Sequence, residues 1–327
     1  LVEPRVVINA AGPWAGRVAA LAGTPFDMRP TKGTMAVTAS RLTKRVVNRL
    51  RHPSDGDILV PGGHVSILGT TSVSLPDLED IAPTVREVDT LLREGSPMLP
   101  DLERARYIRA YAGVRPIYAG KEHTGGGRSA GRGFVLLDHG REGVDNFLSL
   151  TGGKLTTYRL MAETCADRVC ELLNVDATCR THEEPLPSSG SGRGLGHRDS
   201  AERRPQQTEG EDPLLCECEM VPGSGLAVLA ETLRRQDRVP DLGALRLRSR
   251  MGKGPCQGTF CSIRTPKRVF GEGEKRAQAT AIRDFLQERW KGLRPVLWGT
   301  QLAQAELMQG VHCGFFGLET PGNRGEE

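Results

Sequence analysis

The sequence predicts an open α/β sheet followed by a small helical module that carries cysteines. Three observations predict it. A strand, a glycine turn and a helix follow one another at residues 5–22 and again at 147–174; composition breaks at 187–212; and beyond that break four cysteines stand in two tight pairs. At 327 residues the chain has room for two or three domains, using about 150 residues per domain as a prior.

Arg5 to Ala10 is a β-rich run (Val6, Val7, Ile8) that ends at Ala11-Gly12-Pro13, with a helical pattern from Trp14 to Ala22. In open α/β sheets ligands sit beyond the carboxyl ends of such strands. Met35–Val37, Ile58–Val60 and Val65–Gly69 read as strands separated by polar and glycine turns. Thr84-Val-Arg-Glu is a capping-box pattern that opens a helix running to about Gly95. Phe134–Asp138 and Phe147–Leu150 read as further strands, and Lys154 to Asn174 as a long amphipathic helix.

Residues 187–212 are Ser/Gly- and then Arg/Glu/Gln-rich, the composition of a flexible linker. The expected division is therefore residues 1–186, a linker at 187–212, a compact cysteine segment at 213–270 and a helical extension at 271–327. In the extension Ala277–Trp290 and Thr300–Val311 show apolar faces (Ile282, Phe285, Leu286; Leu302, Leu307, Val311). Trp290 and Trp298 are candidates for a contact surface there.

Two glycine-rich runs, at 125–131 and 190–196, imitate nucleotide loops, but a phosphate fingerprint needs a strand before it and a helix after it. The second lies in the linker and the first precedes a strand. Neither qualifies.

The net charge of +4 gives no case for nucleic-acid binding. No apolar run approaches the length of about 20 residues that crosses a bilayer, and the first residues have no signal-peptide pattern. The chain opens on Leu1 in what reads as the middle of an α/β domain, so the expectation is that an N-terminal part of a larger protein is absent. Eight cysteines without a secretory signal point to a reducing compartment and to metal or redox use. Cys165, Cys170, Cys179 and Cys313 read as structural, since a free cysteine commonly behaves as a small hydrophobe.

The chemistry-bearing residues fall in two groups. Gly152-Gly153-Lys154-Leu155-Thr156-Thr157 joins a strand to a helix. Backbone N–H groups at a helix start favour a negative charge, such as the anionic edge of a reduced flavin; the same residues would equally serve as a helix cap with packing glycines. The second group is Cys216, Cys218, Cys256 and Cys261, a Cys-x-Cys and a Cys-x4-Cys. Four thiolates suit zinc or a [2Fe–2S] cluster. Structural zinc usually has two to four residues inside each pair, so the Cys-x-Cys spacing favours the binuclear cluster. Gly252, Gly254 and Gly258 would let backbone N–H groups reach the sulfurs, and Arg248, Arg250 and Lys253 would offset the cluster's charge; both raise its potential.

Four stretches carry a family resemblance: Val-Val-Ile-Asn-Ala-Ala-Gly-Pro-Trp-Ala-Gly at 6–16, Arg51-His-Pro-Ser-Asp-Gly-Asp-Ile-Leu-Val-Pro with Ile67-Leu-Gly-Thr-Thr-Ser, Gly-Val-Arg-Pro at 113–116, and Gly-Gly-Lys-Leu-Thr-Thr-Tyr-Arg at 152–159. They resemble the FAD-dependent glycerol-3-phosphate dehydrogenases. With the cysteines, the likeness is to the large (A) component of the anaerobic three-subunit type. Residues 213–270 are similar to the bacterioferritin-associated ferredoxin-like [2Fe–2S] domain, although stand-alone ferredoxins of that family use a shorter second spacing.

The resemblance implies an FAD-dependent oxidoreductase fold that lacks its first Rossmann βαβ unit here, so that the chain by itself would hold FAD weakly. It implies that Asn9, Ala10, Ala11 and Gly12 approach FAD and that Gly152, Gly153, Lys154, Leu155 and Thr156 lie at its ring. Arg115, Arg132 and Lys154 would face the phosphate or hydroxyl of sn-glycerol 3-phosphate, as arginine forks suit a phosphate dianion. Electrons would pass through a [2Fe–2S] cluster on the four cysteines to the B and C partner subunits and on to quinone, with the chain cytoplasmic and peripheral to the inner membrane. His52 and His64 are chemically possible bases, yet a lone loop histidine is more often exposed, and neither is assigned. Two rivals stand beside this reading: a related FAD-dependent amine or hydroxy-acid oxidoreductase, and a non-catalytic electron-transfer fragment.

Overall fold

The computed structural model describes residues 2–120, 133–184, 212–270 and 275–318. Both decoy loops, Arg132 and all but the end of the expected linker lie outside these residues.

The chain enters through β1 (Val7–Asn9), a 3-10 turn at Gly12–Trp14 and α1 (Ala15–Leu21). It then builds an antiparallel sheet from β2 (Thr31–Thr38), β3 (Val47–Asn48), β4 (Ile58–Gly62), β5 (Val65–Gly69) and β6 (Val73–Ser74). Next come α2 (Val85–Gly95), the single turn α3 (Asp101–Arg104) and β7 (Tyr107–Arg115). The strand order is β3-β4-β5-β2-β6, with β7 paired along the whole of β2. β2 has strand partners along both edges, and all of its residues but Met35 are buried.

The Thr84 capping box forms as expected: the Thr84 hydroxyl accepts from Glu87 N–H and Glu87 accepts from Thr84 N–H at 2.9 Å. It places the Glu87 carboxylate 3.1 Å from Nζ of Lys32 on β2, with both side chains buried. Burial alone would raise the Glu87 pKa, but hydrogen bonds from Thr84, Lys32 and Thr34 outweigh it and hold the carboxyl below its usual range.

β8 (Phe134–Asp138) and β9 (Phe147–Gly152) join β1 in a second, three-stranded sheet of order β1-β9-β8, and α4 (Tyr158–Leu173) packs on it. The cysteine segment opens with the short hairpin β10 (Leu214–Cys216) and β11 (Val221–Pro222). It continues as α5 (Gly223–Arg235), α6 (Leu242–Ser249) and α7 (Cys261–Phe270). α8 (Lys275–Leu293) and α9 (Gly299–Gln309) follow, the latter running into a π-helical turn at Gly310–Phe315.

Two apolar cores result. Leu59, Leu68, Leu91, Leu102 and Tyr107 fill the one under the antiparallel sheet, and Val296 from beyond α8 plugs into it. Leu226, Leu233, Leu245 and Met251 fill the helical one, where Cys216 and Cys261 are members and Ile282 and Phe285 of α8 complete the packing.

The apolar face expected on the last helix is not covered. Leu302 and Leu307 remain 43% and 57% exposed, while Gln301 and Met308 are buried. Gln301 turns inward because its Oε1 accepts from Arg106 Nε at 3.0 Å. Leu307 and Val311 instead line an open groove with Phe260, Ile263, Phe315 and Phe316.

Candidate functional site

β1 runs parallel to β9, with Val7 opposite Phe147 and Asn9 opposite Ser149. Parallel pairing makes the loops after both strands leave the same edge of the sheet. The Asn9–Gly12 turn and the Gly152–Thr156 turn, 140 residues apart in sequence, are thereby neighbours.

Asn9 is buried and fully engaged: Nδ2 donates to Ala15 O at 2.8 Å and to Ser149 Oγ at 3.0 Å, and Oδ1 accepts from Ala11 N–H. Its side chain thus shapes the turn, leaving Ala10, Ala11 and Gly12 to present backbone. Among the described residues nothing stands within 4 Å of where a Cβ on Gly12 or Gly133 would lie, so the backbone there is open to a ligand.

In the second turn Gly152 and Gly153 have φ of +81° and +74°. Cβ atoms there would also meet Gly133 O at 2.6 Å and Met161 Sδ at 2.4 Å, so only glycine fits. The Thr157 hydroxyl accepts from Lys154 N–H at 3.0 Å and donates to Lys154 C=O at 2.9 Å, locking the turn. Lys154, Leu155 and Thr156 face outward, Leu155 at 87% exposure beside the exposed Tyr158.

Arg115 ends β7, a strand that also touches the Gly12–Trp14 turn. Its Nη2 donates to Thr70 Oγ1 at 2.7 Å and to Thr71 C=O at 3.2 Å, and its guanidinium lies across Gly33, where a Cβ would stand 2.6 Å from Nη2. Arg132 lies outside the described residues. His52 and His64 are exposed.

A different histidine is the buried one. His139 Nε2 lies 2.9 Å from Ser149 Oγ and Nδ1 lies 2.8 Å from Glu142 Oε2, with the ring stacked on Phe147. Since Asn9 donates to Ser149 Oγ, the consistent assignment has Ser149 donating to Nε2 and Nδ1–H donating to Glu142. Residues Glu142, His139, Ser149 and Asn9 thus form one chain of hydrogen bonds leading to the first turn. The sequence signal for it was slight: a lone histidine closing an apolar strand.

The four cysteines meet as two pairs. Cys218 Sγ lies 3.5 Å from Cys256 Sγ, and Cys216 lies within hydrogen-bond reach of Cys261. The Cys218 thiol, followed by the N–H groups of Gly258, Phe260 and Thr259, holds Cys256 down at about 6. Donation from Cys261, then from the N–H groups of Gly252 and Glu219, lowers Cys216. The two donor thiols, Cys218 and Cys261, are raised in turn.

Gly254 passes so close to Cys218 that a Cβ would stand 2.3 Å from its Cβ, and the same additions at Gly252 and Gly258 would strike Phe285 at 2.8 and 2.5 Å. Of the three glycines expected to bring backbone N–H groups to the sulfurs, Gly252 reaches Cys216 and Gly258 reaches Cys256, while Gly254 contributes its close approach to Cys218.

Among the described residues no three or more His, Cys, Asp or Glu converge as a single metal ion would need. The donor set, two thiol pairs with backbone N–H groups beside them, suits a binuclear cluster with two ligands per iron.

Of the cations expected to offset its charge, Arg250 is spent on the buried Glu219 at 2.8 Å, Arg248 is exposed and donates to Ala244 C=O, and Lys253, half-buried in the loop itself, has its pKa lowered by burial and then by Arg250. The cluster loop is tied to the antiparallel sheet: Arg106, just before β7, donates from Nη2 to Pro255 C=O at 3.2 Å. The cysteines and Arg115 accordingly belong to opposite ends of β7.

Residues 2–159 match the family described as DAO, FAD dependent oxidoreductase. The chain is 38% identical to the A component of the anaerobic glycerol-3-phosphate dehydrogenase of Haemophilus influenzae, one of that enzyme's subunits, over 96% of this chain and 59% of that protein. It is 39% identical to the protein of the same name from Escherichia coli K12, over 96% of this chain and 61% of that one. Against the A1 component of the anaerobic enzyme of Haloferax volcanii the identity is 39%, over 94% and 55%. The chain thus spans 55–61% of the length of these relatives. The solved glycerol-3-phosphate dehydrogenase of Bacillus halodurans, complexed with FAD, has the same fold, with a TM-score of 0.53 at 20% identity over 91% of this chain and 64% of that one.

Proposed function

We propose that this chain forms the substrate-facing and cluster-bearing part of an FAD-dependent sn-glycerol 3-phosphate dehydrogenase. The observation that carries this reading is a likeness of 38–39% identity over 96% of the chain to proteins named for that activity. The geometry agrees: residues far apart in sequence, Asn9–Gly12 and Gly152–Thr156, share one sheet edge.

In this reading Asn9 holds the first turn so that Ala10, Ala11 and Gly12 offer bare backbone to FAD. Gly152 and Gly153 let the second turn pass close beneath the ring, and Lys154, Leu155 and Thr156 complete that floor. Arg115, fixed by Thr70 and Thr71, together with Arg132 and Lys154, orients the substrate's phosphate and hydroxyl by charge-assisted hydrogen bonds. Cys216, Cys218, Cys256 and Cys261 hold a [2Fe–2S] cluster. Bound FAD would supply acceptance of the C2 hydride as the C2 hydroxyl proton leaves to a base, the balance that yields dihydroxyacetone phosphate, and a bound cluster would supply single-electron carriage.

No described helix is long and apolar enough to cross a membrane. The route onward is assigned to the B and C partner subunits, which would hold the chain at the cytoplasmic face of the inner membrane and deliver electrons to quinone. The word subunit in the names of the relatives supports an assembly.

The test is to purify the full-length protein anaerobically, supply FAD, and follow dye reduction with glycerol 3-phosphate, amino acids and 2-hydroxy acids. Reduction by glycerol 3-phosphate alone is expected. Activity confined to amino or hydroxy acids would replace this reading with that of a related oxidoreductase.

A further inference from the structure

Arg289 lies on α8 at 2% exposure, and its Nε, Nη1 and Nη2 are all buried without a hydrogen-bond partner among the described residues. A guanidinium does not shed its proton in a protein, and an unpaired buried ion is among the costliest things a fold can contain. A counter-charge is therefore required.

Its surroundings narrow the choice. Phe285, four residues before it on the same face of α8, touches Gly252 and Gly258, whose N–H groups point at Cys216 and Cys256. Gly292, three residues after it on that face, abuts the Arg109 guanidinium, with a Cβ position 3.5 Å from Nε. Arg289 thus sits between the thiol loop and another arginine. Burial first, then Arg109 and Arg246, push its proton affinity well down, and the opposing influences are Cys261 and Cys256. The carboxylates next to the thiols or to Arg289 in sequence are committed elsewhere: Glu219 to Arg250, Glu217 to Arg264, and Glu288 to Lys291 at 2.7 Å.

We propose that Arg289 is the internal counter-charge of the cluster held by the four cysteines and that it holds the cluster's reduction potential up. This rests on the reading that those cysteines bind a [2Fe–2S] cluster. Two ferric ions, two sulfides and four thiolates sum to a dianion, and uptake of one electron makes a trianion. A fixed cation beside the site favours the second state over the first. It also makes cluster and fold interdependent, because the empty site leaves Arg289 without its anion.

The experiment compares wild type, Arg289→Met, Arg289→Lys and the exposed control Arg248→Met, prepared anaerobically and assayed for iron and acid-labile sulfide. Each is then titrated with dithionite and mediator dyes while visible absorbance is followed. In Arg289→Met the ratio of reduced to oxidised cluster at a fixed potential is expected to fall about tenfold, which is about 59 mV for a one-electron couple. Arg289→Lys retains most of the wild-type ratio and Arg248→Met changes it less than about twofold, since an exposed charge is screened.

A fully loaded Arg289→Met with an unchanged ratio overturns the proposal. Should that variant not load, thermal unfolding of the cluster-free forms decides. The proposal requires cluster-free Arg289→Met to be more stable than cluster-free wild type, and equal or lower stability overturns it. Wild type free of iron and sulfide removes instead the reading on which the proposal rests.

Discussion

Lys32 and Arg289 are both buried cations, one under the antiparallel sheet and one in the helical half, and they are accommodated differently. Lys32 has Glu87 at 3.1 Å, supplied by the same capping box that starts α2, and its Nζ also donates to Ala82 C=O at 2.9 Å. Arg289 has no such partner among the described residues. The cores differ in the same way: the sheet core is closed by aliphatic side chains and Tyr107, whereas the helical core includes Cys216 and Cys261. The Lys32 charge is balanced within the fold, and in the proposed reading the Arg289 charge is balanced by an anion that the polypeptide does not supply.

The sharpest way to break this contrast is to remove a thiol. Cys256→Ala is expected to reduce iron and acid-labile sulfide to background and to lower the unfolding temperature of the helical half, with the sheet half unaffected. Loss of near-ultraviolet structure throughout the molecule would show instead that the two halves respond as one.

Next in size is the sheet's own ion pair. Glu87→Gln leaves Lys32 buried without its counter-charge and is expected to cost about 3–5 kcal/mol in denaturant unfolding. Because Glu87 titrates below its usual range in the fold, its contribution is complete above the unfolded carboxylate value of about 4.3 and disappears as pH falls through the folded one. The gap between wild type and Glu87→Gln should therefore narrow only below about pH 4. A gap already shrinking near neutrality would contradict the pairing.

Asn9→Ala removes the bonds to Ala15 and Ser149, with an expected loss of about 1–3 kcal/mol. If the turn binds FAD, flavin affinity falls with it, measurable by fluorescence quenching. The smallest effect is expected at Arg17, whose contacts to Asp77 and Glu79 are exposed. Arg17→Ala should shift unfolding by less than about 0.5 kcal/mol, a baseline against which the buried cations are read.

Much of the local structure is legible in the residues alone. The Thr84 capping box, the strands at 58–62 and 65–69, the Gly152–Gly153 turn and the inward Ile282 and Phe285 all follow from side-chain chemistry acting over a few residues. β7 escapes that kind of reading. Tyr107–Arg115 shows no clean alternation, because it lies flat along β2 and carries Arg109 and Gly113 in its run. The last helix misleads in the opposite direction: periodicity identifies the apolar face Leu302–Leu307–Val311, but whether a face is covered depends on what packs there, and Arg106 draws Gln301 inward instead.

The sequence by itself determined where chain direction changes, where helices start and which residues can ligate metal or bind phosphate, since these depend on φ preferences, short-range hydrogen bonds and functional-group chemistry. Tertiary structure alone decided that Asn9 and Gly152 share an edge, that the thiols pair 216 with 261 and 218 with 256, and that Arg289, one of three arginines in a polar-looking helix, is the one deprived of water. Burial and proximity are properties of the packed chain, and a charge acquires its energetic weight only when packing sets the distance to its neighbours and removes the solvent between them.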